Sequence, residues 1–287
     1  MIDSLARKET TYDAQIKALQ LGQFSDPFSF LGLHANSEQQ FEIRAFIEGA
    51  CSVELVSLSG NINFSNINDS GLFVLTQENV DFSEPYQLKA LYQDGSEHIF
   101  YDPYQFKSSI NQNDMYLFNE GTLEHAYRLL GAHCVEQQGV SGVRFTVWAP
   151  NAHSVSVIGE FNHWHANQNF MRKHPASGIW ELFLPEIETE QCYKYAITDC
   201  HGNRFEKADP YALKTQQSPG TASVIQKSIP QVTVKQSKVQ NTLNRVDAPI
   251  SIYEVHLGSW KRRENEGARY LTYRELADDL VNYVKEL

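Results

Sequence analysis

The sequence predicts a mostly β protein, with two tandem β-sandwich domains followed by the first strand and first helix of a third, truncated domain. Three observations support this fold class: the length with its aromatic content, an internal repeat, and a change of pattern near residue 250. At 287 residues, the chain has room for two domains of ordinary size and part of a third. Aromatic residues make up 12% of it, which excludes disorder as the main state because disordered chains are poor in them.

Charge and hydropathy exclude two classes of partner. The chain has 35 acidic and 24 basic residues, a net charge of −11. An acidic chain repels phosphate backbones, so we expect no nucleic-acid partner. No apolar run approaches the length of a membrane-spanning helix, so we expect no membrane partner. Residues 1–20 mix charged and apolar side chains without the apolar stretch of a signal peptide, which predicts a cytoplasmic protein.

The first element is predicted to be a short helix. Either Asp3 or Ser4 is placed to cap it, and Ile16 and Leu19 lie one turn apart on the same face. Gly22 is expected to end it, because glycine is common just after the last helical turn. The chain then becomes rich in short runs that alternate apolar and polar residues, which is typical of strands with one buried face.

Short motifs recur along the chain in the same order, at a spacing that grows from 99 to 107 residues. Surface-loop insertions account for this growth. The recurring segments are 31–34 and 130–133, 41–56 and 143–158, 86–95 and 193–202, and 102–104 and 209–211. A period near 100 residues indicates duplicated domains, which we place at 1–115 and 116–230. A linking helix is predicted over Thr122–Leu130, with Thr122 as its cap and Gly131 after its last turn.

The pattern changes in the last segment, 231–287. Its first residues are polar and form a connector, after which residues 250–257 have the composition of a strand. Thr272 and Glu275 have the spacing of a capping box and open an amphipathic helix. A strand, a loop and a helix form half of a βαβ unit, whose parallel strand needs a neighbour. The segment is therefore predicted to be a linker and the start of a truncated domain.

Aromatic residues near turns in the second repeat are candidates for contacting a sugar, whose rings present flat C–H faces and polar rims. Trp164 follows Asn162 and His163 at a turn-like position, where a binding platform and a packing residue are equally open interpretations. Trp148 and Trp180 lie in strand-like runs, so we expect both of them in the core.

Four motifs carry a resemblance to a known family; they are residues 26–32, 145–152, 177–183 and 248–260. Through them, residues 143–225 resemble a family 48 carbohydrate-binding module. The whole chain resembles the N-terminal part of the bacterial glycogen branching enzymes, the 1,4-α-glucan branching members of glycoside hydrolase family 13. The resemblance implies immunoglobulin-like sandwiches, and it implies that residues 250–287 begin a (β/α)8 barrel.

The resemblance also implies which residues hold a sugar. Modules of this type use an aromatic residue after a Phe-Asn turn, a lysine in a Tyr-Lys strand, a second aromatic residue and a Gly-Thr segment. These positions fall on Trp164, Lys194, Phe205 and Thr221. The second aromatic departs from the pattern, because Arg204 stands nearest its place and Phe205 only follows it. The alternative is a sandwich retained for packing against the catalytic domain.

The implied activity cleaves an α-1,4 link and transfers the chain to a glucose 6-hydroxyl with retention, in glycogen biosynthesis. Retention needs two carboxyl groups about 5–5.5 Å apart. In the family, these follow later barrel strands, so we expect no catalytic residue here and an inactive chain. No metal and no organic cofactor are expected.

Three further expectations follow from the resemblance. The chain supplies glucan-binding and docking domains, packs on the missing catalytic barrel, and is a monomer in the full-length enzyme. The alternative is a standalone, non-catalytic glycogen-binding module, which has no use for the strand at 250–257 or the helix after it.

Overall fold

The protein is mostly β, as predicted. The computed structural model describes residues 12–35, 40–57, 60–78, 82, 84–227, 247 and 249–287. The chain divides into two compact units, Met1–Pro230 and Gln231–Leu287. The first unit contains both copies of the internal repeat.

The first repeat forms two antiparallel four-stranded sheets. Its strands β1 to β8 are Gly32–Ala35, Phe41–Phe46, Ala50–Leu55, Ile62–Asn63, Ser65–Ile67, Leu72–Gln77, Gln87–Tyr92 and Glu97–Tyr101. The sheet orders are β1-β2-β6-β5 and β4-β3-β7-β8. Alternate side chains of both sheets, including Ile43 and Phe73 from one and Val53 and Leu88 from the other, form a single buried core.

The second repeat has a similar, though not identical, arrangement of neighbouring strands. Strands β9 to β17 are Gly131–Gln137, Val140–Trp148, Ser154–Gly159, Arg172–His174, Ile179–Pro185, Cys192–Thr198, Arg204–Lys207, Lys214–Thr215 and Ser223–Val224. The sheet orders are β12-β13-β10-β9 and β11-β14-β17-β16, and β15 also pairs with β14. Inward residues such as Phe145, Val157 and Tyr195 form the second core.

A buried tyrosine–aspartate hydrogen bond occurs once in each repeat. The Tyr86 hydroxyl donates to Asp102 over 2.5 Å, and the Tyr193 hydroxyl donates to Asp209 over 2.6 Å. Each carboxylate also accepts the backbone N–H two residues further along, at 3.0 and 2.8 Å. Burial raises the pKa of both carboxyls, that of Asp102 to about 6. The repeat in the sequence is therefore also a repeat of contacts.

The repeated Leu-Gly motif has a steric explanation. Gly32 and Gly131 have φ angles of +88° and +107°, in a region that favours glycine. A Cβ at Gly32 would lie 2.7 Å from the carbonyl oxygen of Tyr104, and one at Gly131 would lie 3.1 Å from that of Tyr211. Each glycine thus lets the chain pass close to the tyrosine that lies two positions after the buried aspartate of its own repeat.

The described part of the first unit contains three α-helices: α1 over residues 12–20, α2 over Gln112–Glu120 and α3 over Ala126–Leu129. The predicted first helix is confirmed as α1. Gly22, with φ at +66°, follows it as predicted. The proposed caps, Asp3 and Ser4, lie outside the described residues.

The packing face of α1 was read correctly from the sequence. Ile16 and Leu19 are buried, and they belong to one cluster with Leu72 and Val74 of β6. Phe170 of the second repeat belongs to the same cluster. The helix therefore contacts both copies of the repeat through its apolar face.

The prediction of one linking helix over Thr122–Leu130 is wrong. The Asn111 side chain accepts the N–H of Asn113 and caps α2, which Gly121 ends in the left-handed conformation. Only the last part of the predicted range is helical, as α3, and Gly131 begins β9. An earlier cap thus starts a helix in a segment that the sequence reading left unassigned.

The prediction of a core position is confirmed for Trp180 and is wrong for Trp148. Trp180 is fully buried. Strand alternation places Val147 in the core, so the next residue, Trp148, lies on the opposite face and is 54% exposed. Its indole N–H donates to the carbonyl oxygen of Ser177 over 3.0 Å, and its ring meets Phe118 of α2 edge-on.

The second unit contains a hairpin of β18, Arg262–Arg263, with β19, Arg269–Tyr270, followed by helix α4, Tyr273–Glu286. The predicted capping box is confirmed, because the Thr272 and Glu275 side chains each accept the other's backbone N–H. No helix in the described part of the chain has the length and apolarity to cross a membrane.

The predicted strand over 250–257 is wrong. Residues 249–256 have no regular secondary structure, and Ile250 and Ile252 are 83% and 84% exposed. A strand is stabilised by hydrogen bonds to a neighbouring strand. None of the described residues pairs with this segment, so its strand-like composition alone does not produce a strand.

Replacing Tyr86 or Tyr193 by phenylalanine should lower the free energy of unfolding by about 1–3 kcal/mol each, because a buried carboxylate loses its hydroxyl donor. Urea denaturation of the 287-residue chain measures this change. Tyr116→Phe is the matched control, since it removes an exposed hydrogen bond to Glu120 and should cost less than about 0.5 kcal/mol. Equal stability of the control and both buried variants would contradict a role for the repeated hydrogen bond.

Candidate functional site

The candidate site lies on one side of the sheet that contains β11, β14 and β15. We call this side the outer face, because the opposite side packs into the core. Tyr193 and Tyr195 of β14 point into the core and are fully buried. Alternation therefore places Lys194 on the outer face. Its ammonium nitrogen lies 3.6 Å from the carboxylate of Glu206, which is on β15.

Trp164 follows the short 3-10 helix Glu160–Asn162, in a turn that hydrogen bonds hold in place. The buried Asn162 side chain accepts the N–H of Gly159 over 2.9 Å, and the Trp164 N–H donates to the carbonyl oxygen of Gly159 over 2.9 Å. His163 and Trp164 both have left-handed backbones, with φ at +51° and +63°. The Trp164 side chain is 38% exposed. This turn therefore presents a large aromatic ring from a defined backbone.

The loop after Trp164 crosses the outer face. The Ser156 hydroxyl, on the outward side of β11, donates to the carbonyl oxygen of Ala166 over 2.8 Å. Asn162 also anchors the loop, because its amide donates to Asn169 over 2.8 Å. The turn and the loop that carry Trp164 are thus on the same side of the sheet as Lys194.

The turn of Trp164 and the segment of Thr221 flank the strand of Lys194 at one end of this sheet. Gly159, whose carbonyl oxygen accepts the Trp164 N–H, pairs with Tyr193, the residue before Lys194. On its other edge, that same residue pairs with Ser223, two positions after the exposed Thr221. The turn of Trp164, the strand of Lys194 and the segment of Thr221 are therefore adjacent. We call Trp164 and Lys194 the open half of the outer face, and the exposed Thr221 lies beside it on the neighbouring segment.

Phe205 is not part of this group. It pairs with Ile197 of β14, and cross-strand partners lie on the same side of a sheet. Ile197 packs against the core, so Phe205 lies on the core side, where its ring is 47% exposed at the edge. Its neighbours Arg204 and Glu206 lie on the outer face instead. The sequence reading chose the aromatic residue and missed that strand alternation turns it away.

Arg204 takes the position on the outer face, and it contacts the end of α1. Its guanidinium Nη2 donates to the carbonyl oxygen of Leu21 over 2.8 Å and lies 3.2 Å from the Asn167 side-chain oxygen. Ser154 and Thr198, also on the outer face, donate to the neighbouring helix-end carbonyl. Sequence reasoning missed these contacts with the end of the helix, because they join residues 132 to 183 positions apart without any local signal.

The corresponding positions of the first repeat differ in chemistry. The offsets of the repeat align Trp164 with Ile62 and Lys194 with Gln87, both half-buried. Only the second repeat therefore combines an exposed indole ring with an ammonium group and a nearby hydroxyl. This combination suits a ligand with a flat apolar face and a polar rim. Among the described residues, no three histidine, cysteine, aspartate or glutamate side chains are close enough to hold a metal ion.

By comparison with known families, the second repeat is similar to a carbohydrate-binding module. Residues 129–212 match the model of carbohydrate-binding module 48, the isoamylase N-terminal domain. Residues 12–104 match the model of the N-terminal domain of the alpha-1,4-glucan branching enzyme GlgB. The chain is therefore similar to the N-terminal portion of the 1,4-alpha-glucan branching enzymes.

Curated relatives support the same family. The chain is 41% identical over 282 residues to the 1,4-alpha-glucan branching enzyme GlgB of Shewanella baltica strain OS223, and equally to that of strain OS185. Each match covers 96% of this chain and 38% of the relative. The chain therefore spans well under half the length of these enzymes.

Solved structures show a weaker similarity. The apo pullulanase of Klebsiella pneumoniae is 17% identical with a TM-score of 0.28, over 68% of this chain and 24% of the other. A pullulanase of Anoxybacillus sp. LM18-11, complexed with maltotetraose, is 13% identical with a TM-score of 0.32, over 72% and 28%. TM-scores this low do not establish a shared fold.

Proposed function

We propose that this chain is the N-terminal part of a 1,4-alpha-glucan branching enzyme of glycogen biosynthesis. The 41% identity to two such enzymes, which extends over 96% of the chain, carries this proposal. The match continues beyond the carbohydrate-binding module, through residues that a standalone glycogen-binding module would not need. The full-length enzyme would cleave an α-1,4 link and pass the chain, with retention, to a glucose 6-hydroxyl.

The domain organisation is part of the proposal. We assign residues 1–115 and 116–230 to two immunoglobulin-like sandwiches, supported by the equivalent strand neighbours in the two repeats. We assign 231–287 to a linker and the start of a (β/α)8 barrel, supported by the capped helix α4. In the full-length enzyme, the sandwiches would dock on that barrel in a cytoplasmic monomer.

We also propose that the second sandwich binds linear α-1,4-glucan on the open half of the outer face. The exposed ring of Trp164, set by a hydrogen-bonded turn beside Lys194, carries this assignment. Trp164 would stack on the C–H face of a glucose unit, and Lys194 and Thr221 would hydrogen-bond its hydroxyls. The nearby carboxylate of Glu206 keeps the ammonium group in place until a ligand binds.

The purified 287-residue chain should have no branching activity. Retaining transfer requires a nucleophile and an acid/base carboxyl about 5–5.5 Å apart, and we assign neither role to a residue of this chain. Incubation with amylose, followed by linkage analysis, measures newly formed α-1,6 bonds. A reproducible increase over a heat-treated sample would overturn the assignment of the chain as a non-catalytic portion.

Trp164→Ala should weaken the binding of maltoheptaose to the 287-residue chain at least tenfold. Truncating a central aromatic anchor commonly costs about 2 kcal/mol or more. Isothermal titration calorimetry measures the dissociation constant. Phe205→Ala is the matched control, because it also removes a partly exposed ring from the same domain, but on the opposite side of the sheet. Its affinity should stay within about twofold of the wild type.

Two results would contradict the proposed site. The first is wild-type affinity in Trp164→Ala. The second is an equal loss of affinity in Phe205→Ala, which would place the sugar on the other side of the sheet.

A further inference from the structure

We propose that the C-terminal end of α1 is an intramolecular ligand of the second sandwich, which covers half of its outer face and confines a glucan to the other half. The covered half contains Ser154, Thr198 and Arg204. The open half contains Trp164 and Lys194, with Thr221 beside it, as defined above. This inference rests on the proposed binding of glucan, and it adds a limit on how long a chain the face accepts.

Four consecutive carbonyl groups, that of Gln20 at the end of α1 and those of the three residues after it, are bound by side chains of the second repeat. The last carbonyls of a helix have no partner within the helix, so each needs a donor from elsewhere. The contacts are Gln20 O with Asn167 Nδ2 at 2.8 Å, Leu21 O with Arg204 Nη2 at 2.8 Å, Gly22 O with Ser154 Oγ at 2.9 Å and Thr198 Oγ1 at 3.3 Å, and Gln23 O with His153 Nε2 at 3.0 Å.

These donors are the groups that a sugar would otherwise meet on this half of the face. Hydroxyl, amide and guanidinium groups on an exposed sheet are suited to hydrogen-bonding glucose hydroxyls. Here they bind backbone carbonyls instead. The Arg204 cation also interacts favourably with the negative end of the helix dipole. In its present contacts, Arg204 therefore serves the helix rather than a ligand from solution.

Glycine at position 22 permits this close approach. Its φ of +66° favours glycine, and an added Cβ would lie 1.9 Å from Arg204 Nη2 and 2.9 Å from Asn167 Oδ1. Any larger residue must displace these two side chains from the helix end. Gly22 thus fits both the end of the helix and the surface that receives it.

The helix is also held from the side that faces the first repeat. Ile16 and Leu19 are buried with Leu72 and Val74, so burial of apolar surface keeps α1 near the outer face even when individual hydrogen bonds break. The end of the helix therefore competes with a ligand at a fixed position and at a permanently high local concentration.

A limit on ligand length follows from this arrangement. A glucan that stacks on Trp164 and contacts Lys194 can extend only until it meets residues 20–23. Glucose units beyond the open half then add no contacts. In the wild type, maltoheptaose should bind no more than about twofold more tightly than maltotetraose.

The test uses the variant Gly22→Ala of the 287-residue chain, which should release the end of α1 from the covered half of the outer face. The matched control is Gly49→Ala, at a glycine with φ of +81° and no atom within 4 Å of the added Cβ. It introduces the same backbone strain without touching the outer face. Hydrogen exchange with mass spectrometry reports the release of residues 16–23, and calorimetry gives the dissociation constants for maltotetraose and maltoheptaose.

We expect Gly22→Ala to speed exchange in residues 16–23 and to bind maltoheptaose at least about threefold more tightly than the wild type does, with maltotetraose unchanged. Gly49→Ala should show neither effect. Arg204→Met is a second variant, which removes the bond to Leu21 without adding volume next to Gly22, and it should reproduce the faster exchange.

Faster exchange with unchanged affinity for maltoheptaose would overturn the inference, because the helix would then cover nothing that a glucan uses. Unchanged exchange in both variants would overturn it as well. If the wild type binds neither sugar, the proposed function of the open half fails. In that case, binding of maltoheptaose by Gly22→Ala alone would support the proposal that the end of α1 covers the outer face. The absence of binding by this variant would reject both proposals.

Discussion

The carbonyl groups at the end of α1 set the constraint on which the first unit most depends. A helix ends with carbonyls that lack partners within the helix, so each needs a donor from elsewhere. The second repeat supplies the donors from β11, from β15 and from the loop that crosses the outer face. Because the apolar face of the same helix packs on β6, one short segment joins the two copies of the repeat.

Each copy has its own internal constraint, the buried hydrogen bond between a tyrosine and an aspartate. In the second copy, the two residues that flank Lys194 on β14 both donate to Asp209; they are Tyr193 and Tyr195. Burial raises the pKa of the Tyr193 hydroxyl, so it remains a donor. The strand is thereby fixed in the core while its outward side chain remains available. This division lets two similar folds differ in the chemistry of their outer faces, since the first copy carries glutamine at that position.

Features with a periodic or local cause were predictable from the sequence. Strand alternation, the repeat, the capping box of α4 and the turn around Trp164 all follow from short-range rules. The strand over 250–257 was wrong because strand formation depends on a neighbour that composition cannot supply. Phe205 was misplaced because an error of one residue in alternation reverses the face of the sheet. The contact of Arg204 with Leu21 joins positions 183 apart, and nothing in either local sequence announces it.

The central claim is that α1 fixes the two repeats into one rigid body, with its end on the outer face of the second. Residual dipolar couplings of backbone amides in the 287-residue chain test it most directly, using residues 12–105 and 131–227. The account predicts that a single alignment tensor, with one orientation and one magnitude, fits both sets of couplings together with those of α1. Two different tensors, or a tensor for α1 that agrees with the first repeat alone, would contradict it.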